Sequence, residues 1–134
     1  MKLLHATLLV LPLLFLSGGA SAEWIQFQDN KEFTGYAESA YSRSGKFLKV
    51  WVMRSYKSPI KTKEGSTYLT SKEQVEYDCT GGQSRWWHIS YYPKAMGGGK
   101  PVDIVNINGG TEWVSLPPGS DGKTMQQSFC SLMK

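Results

Sequence analysis

The sequence predicts an α+β domain: a single antiparallel sheet of about six short strands, with a C-terminal helix packed on one face and disulfide-linked to it. Three observations carry this. Segments rich in aromatic and β-branched residues alternate with glycine turns from residue 24 to residue 115. A helical stripe follows only after residue 120. The chain's two cysteines, Cys79 and Cys130, fall one in each region.

Trp24–Phe27 reads as the first strand, and residues 33–43, with Tyr36 and Tyr41, as a second that ends at Ser44-Gly45. Phe47–Tyr56 is the clearest strand. One of its faces shows Leu48, Val50, Val52 and Tyr56, the other Phe47, Trp51 and Met53. Both faces are partly apolar, which suits a sheet covered on its second side. Lys57–Glu64 reads as an exposed basic loop, and Tyr68–Val75 fits a short helix or an extended segment. Glu76–Cys79 enters a strand, and Gly81-Gly82 turns the chain into Arg85–Tyr92. Gly97-Gly98-Gly99 marks the next turn, Val102–Ile107 the next strand, and Asn108-Gly109-Gly110 leads into Glu112–Ser115. Ser120 is placed to cap a helix on which Met125, Phe129, Leu132 and Met133 share one face.

The N-terminus has a different pattern. Lys2 precedes an apolar run through Leu16, and small residues then lead to Ala20-Ser21-Ala22. A basic start, an apolar stretch shorter than the roughly 18 residues of a membrane span, and an A-x-A site define a cleavable signal peptide. Residues 1–22 are therefore expected to be the leader, and residues 23–134 one exported β-rich domain, periplasmic or secreted. Two cysteines in an exported chain pair most simply with each other, as Cys79–Cys130. The net charge of +4 is scattered, which does not point to nucleic acid.

Most catalytic chemistry lacks its residues. Of the two histidines, His5 lies in the leader and His88 stands alone in a strand. With both cysteines committed, no transition-metal set remains, so neither a metal nor another cofactor is expected. A small secreted ribonuclease using Glu76, His88 and Arg85 is the one enzymatic alternative that the residue types permit. The aromatic excess instead asks for a partner. Neighbours Trp86 and Trp87 must point to opposite faces of their strand, as must Tyr91 and Tyr92. These four are the candidate exposed binding aromatics. Loops, a partner or a second copy of the chain would cover the face opposite the helix.

The residues around the cysteines resemble the surface-adhesin protein E family of Gram-negative bacteria. The matching pieces are Tyr36–Arg43, Val50-Trp51-Val52, Ser71–Cys79, Arg85, Tyr91, Trp113, Pro118-Gly119-Ser120 and Phe129-Cys130. The resemblance implies a single antiparallel sheet with a disulfide-bonded C-terminal helix and no enzymatic activity. It also implies binding of host extracellular-matrix or serum proteins, a capacity to form a homodimer, and display at the cell surface. The sequence departs at the leader: no cysteine stands at the cleavage point, so the family's lipid anchor is not expected. The alternative is a soluble periplasmic envelope or inhibitor protein with a bacterial partner. No motif here locates the family's binding residues.

Overall fold

The computed structural model describes residues 22–134. The expected leader, apart from Ala22, lies outside the described residues. The strands in chain order are β1 (Trp24–Asp29), β2 (Phe33–Glu38), β3 (Ser42–Ser44), β4 (Phe47–Lys61), β5 (Thr67–Asp78), β6 (Gln83–Tyr92), β7 (Asp103–Asn106) and β8 (Val114–Ser115). A 3₁₀ turn, Ala95–Gly97, lies between β6 and β7, and the helix α1 (Asp121–Leu132) follows β8. Every pairing is antiparallel, in the order β1-β2-β4-β5-β6-β7, with β3 beside β4 and β8 beside β6.

The α+β class matches expectation, with eight strands instead of about six. The segment expected over residues 33–43 breaks after Glu38 and resumes as β3. The basic stretch read as a loop is largely the end of β4, which runs on to Lys61. A register shift between Ser55 and Ile60 lets the strand pass Pro59, which has no N–H to give the ladder. Residues 68–75 are extended because β4 and β6 pair with β5 on both sides. Cross-strand pairing outweighs the weak local preference.

Register assigns the two faces, since directly paired residues project to the same side. Leu48, Val50 and Val52 of β4, Val75 and Tyr77 of β5 and Ala37 of β2 form a core with Met125 and Phe129 of α1. The rings of Phe27 and Tyr77 meet Phe129 at 5.0 and 6.0 Å, steeply inclined to it. Phe27 lies against Gly35, where a Cβ would stand 2.8 Å from the ring. Only glycine lets β2 pass so close beneath that side chain.

Contacts at both ends and at its middle hold α1. The Ser120 hydroxyl accepts a 3.2 Å hydrogen bond from the Lys123 N–H, the cap expected from sequence. At the far end the Arg43 guanidinium donates to the carbonyls of Cys130 and Met133, at 3.2 and 3.1 Å. These satisfy carbonyls left free at a helix terminus and place a cation at its negative end. Tyr41 adds a 3.0 Å bond to the Lys134 carbonyl. Gln126, buried, donates to the Asp78 carbonyl at 2.6 Å, and the Cys79–Cys130 disulfide joins α1 to the residue that follows β5. Met125 and Phe129 of the expected stripe are buried, whereas Leu132 is 80% exposed.

The turn after β5 is organised by Asp78. Its carboxylate accepts from the N–H groups of Gly81 and Thr80, at 2.7 and 3.1 Å, with Lys46 at 3.6 Å. The Gly81 hydrogen bond is the main reason its pKa lies below the usual carboxylate value.

Replacing Cys130 with serine should lower the unfolding free energy by about 4 kcal/mol, the chain-entropy value for a closed loop of this length. Urea denaturation reads this, and midpoints unchanged from the wild type would contradict it. The lowered Asp78 pKa makes its stabilising effect complete above about pH 4, the ordinary value for Asp. The effect is lost as pH falls through the folded-state pKa. Asp78→Asn should therefore flatten the acid limb of a melting-temperature profile, and an acid limb as steep as the wild type's would count against this role.

Candidate functional site

The face of the sheet opposite α1 is lined by aromatic rings and cations. Phe47, Lys49, Trp51 and Met53 of β4 point to it, with Lys72, Gln74, Glu76 and Asp78 of β5. The 3₁₀ turn covers one end. Thr70 Oγ1 donates to the Lys94 carbonyl at 2.7 Å and accepts from the Gly97 N–H at 3.0 Å, and Ser55 Oγ accepts from the Met96 N–H at 3.3 Å. Met53 is buried there. The rest of the face has no helix over it among the described residues.

On β6 a bulge decides what the site contains. Val75 pairs with Trp86 and Gln74 with His88, so Trp87 is the extra residue. The bulge sends both Trp87 and His88 to the open side, where alternation alone would separate them. Trp87 lies under Lys49, whose Nζ is 3.8 Å from the ring centroid, and beside Arg85 at 5.0 Å. His88 meets Trp51 edge-on at 5.1 Å and contacts Asn106 Oδ1 through Nδ1 at 2.5 Å.

A second cluster continues from Arg85. Its guanidinium lies 4.4 Å from the Trp113 ring, which stacks on Phe47 at 5.6 Å. The Arg85 Nε donates to Glu76 at 2.6 Å, and the same carboxylate oxygen accepts from the Trp87 indole N–H at 3.3 Å. Gly110 brings the following loop against this cluster, since a Cβ there would stand 3.2 Å from both Arg85 and Trp87. At the other end Lys72 Nζ stands 4.7 Å from the Tyr92 ring and 5.7 Å from that of Trp24. Trp24 belongs to β1, three strands from β5 in sheet order.

The four candidate aromatics divide between the two faces. Trp87 and Tyr92 are on the open side. Trp86 packs against the core and donates its indole N–H to Glu73 at 3.2 Å. Glu73 also holds Arg54 at 3.1 Å. Burial opposes the Arg54 charge, but Glu73 leads the interactions that more than offset it, so the guanidinium pKa is raised. Tyr91, on the same side as Trp86, packs against Tyr68 at 4.6 Å with the two rings tilted by 53°. Burial pushes the Tyr68 hydroxyl up to about 12 and the Tyr91 hydroxyl upward as well. All four candidates are half-buried and none is freely exposed.

The nuclease set does not assemble as a free acid and base. Glu76 is bound to Arg85 and Trp87, while His88 is engaged by Trp51 and Asn106. Among the described residues no group of three or more His, Cys, Asp or Glu side chains is placed to hold a metal ion. Sequence reasoning missed the roles of Lys49, Lys72, Arg85 and Trp113 on the open face. Their alternation in β4 and β5 places the two lysines there, but the ring partners depend on tertiary register.

The covered side carries an apolar groove of about 680 Å³ between β1 and α1. Ile25, Phe27 and Ala37 line it from the sheet, and Met125, Phe129 and Leu132 from the helix.

One sheet locked beneath one helix, with an aromatic and cationic second face, defines a small disulfide-bonded α+β binding domain. The model of the family described as surface-adhesin protein E matches residues 24–131, and the chain belongs to this family. It is an adhesin-like binding protein, and no helix among the described residues is long and apolar enough to cross a membrane. No curated protein and no solved structure matches the chain.

Proposed function

We infer that this protein is an exported, non-enzymatic adhesin that contacts host extracellular-matrix or serum glycoproteins through the open face of its sheet. The observation that carries this reading is the row of half-buried rings, Phe47, Trp51, Trp87, Tyr92 and Trp113, held by cations and with no helix over them among the described residues. Aromatic rings and arginine are the side chains that dominate recognition surfaces. Their mutual packing holds them rigid before a partner arrives, which lowers the ordering cost of binding. Trp86 and Tyr91 serve the fold by anchoring β6 to the covered side.

The apolar groove supports a second contact, a homodimer. Among the described residues strand β1 is a sheet edge with unpaired backbone groups. Ile25 and Leu132 flank it at 55% and 80% exposure. Two such edges placed together would bury both residues.

Capture of the purified protein on immobilised matrix glycoproteins should fall at least about tenfold for Trp87→Ala, the loss of one aromatic anchor. Ile25→Ser should leave it unchanged. Equal loss in both variants, or in neither, would contradict the open-face assignment. Light scattering should show a dimer in the wild type that Leu132→Glu converts to monomer, and a monomeric wild type would remove the second contact.

A further inference from the structure

The open face holds two cations that no carboxylate neutralises. Lys46 and Arg85 are paired with Asp78 and Glu76. Lys49 and Lys72 form no ion pair within 4.0 Å among the described residues and rest on aromatic rings instead. A ring quadrupole attracts an ammonium group without cancelling its charge. Both lysines therefore keep donors and charge for an anion.

Their spacing follows from register. Lys49 pairs with Glu76 and Met53 with Lys72, four residues along both strands. At about 3.3 Å per residue the lysines stand roughly 13 Å apart along the sheet. Between their rows lie Trp51 and His88, in mutual edge contact at 5.1 Å. The sequence of groups along the face is thus cation, flat ring, cation.

The relief of the face selects among anionic partners. Protein ligands draw most of their affinity from anchors buried in pockets, and the groove beside β1 and a smaller cavity lined by Phe33, Arg54 and Trp86 lie on the covered side. A sugar chain fits better. The C–H face of a pyranose packs flat on an indole, and sulfates on the ring edge reach ammonium groups, which act as compact point charges.

We propose that the open face binds an anionic, sulfated polysaccharide of the kind carried by matrix glycoproteins. Its rings stack on Trp51, and its sulfates are held by Lys49, seated over Trp87, and Lys72. This rests on the reading of the open face as the contact surface and names the chemical group it recognises.

The test uses the full chain, purified after expression, and a heparin-derived oligosaccharide as probe, with binding followed by tryptophan fluorescence and calorimetry. Saturable binding that weakens steeply with salt is expected. Lys49→Gln and Lys72→Gln should each weaken it about tenfold, the loss of one charge-assisted contact. Lys61→Gln, at the far end of β4, should not. Both lysines are half-buried, and circular dichroism verifies that the variants keep their fold.

Equal affinity for desulfated heparin, tighter binding of a single-stranded oligonucleotide, or indifference to both lysine changes would overturn the proposal. Heparinase treatment of the matrix glycoprotein separates the two readings. If capture survives the enzyme yet still needs Trp87, the glycan assignment falls and the open-face reading stands. If capture survives both the enzyme and Trp87→Ala, both fall.

Discussion

The attachment of α1 to the end of β5 sets the two sides of the sheet apart. The disulfide at Cys79 and the Gln126 bond to the Asp78 carbonyl lie at adjacent residues, so the helix is held at one corner of the sheet. From there Phe129 and Met125 reach over Leu48, Val50, Val52, Val75 and Tyr77. Arg43 and Tyr41, from and beside the short strand β3, secure the same C-terminal end through the carbonyls of Cys130, Met133 and Lys134, while Ser120 caps the opposite end. The helix covers one face, and the described chain has no second helix for the other.

That second face is stabilised without a conventional core. Rings lie against one another and beneath long basic side chains, whose aliphatic stems cover apolar surface while the charged heads stay at the water boundary. The bulge at Trp87 is the key local device, because it places Trp87 and His88 side by side. The 3₁₀ turn closes the end of the face over Met53, and the loop at Gly110 closes the edge at Trp87. What remains between them is shallow, aromatic and cationic.

Much of this architecture was legible because it rests on local pattern. The alternation of Leu48, Val50 and Val52, the cap at Ser120, the helical spacing of Met125 and Phe129 and the pairing of the two cysteines all read directly. The opposed directions of Trp86 and Trp87 also followed from strand geometry. What was hidden depends on contacts across the sheet. Strict alternation would have put Tyr91 with Trp87, and the unpaired residue in β6 moves it to the side of Trp86. The extension of β4 through Pro59 required a register shift that composition does not announce. Likewise Arg43 carries no local sign that it completes a helix nearly ninety positions later. The lysines of the open face read as ordinary solvated charges until their ring partners are known.

The latch also fixes an order of events during biosynthesis. A chain is made from its N-terminus, so Cys79 emerges well before its partner, which stands 51 positions further on. During that interval the strands can pair, but Leu48, Val50, Val52 and Tyr77 have nothing to cover them, and Cys79 remains an unpaired thiol. Such a half-finished sheet is the kind of species that sticks to its neighbours. The residues around Cys130, with Arg43 waiting for them on the sheet, are therefore the ones that convert a sticky intermediate into a closed domain.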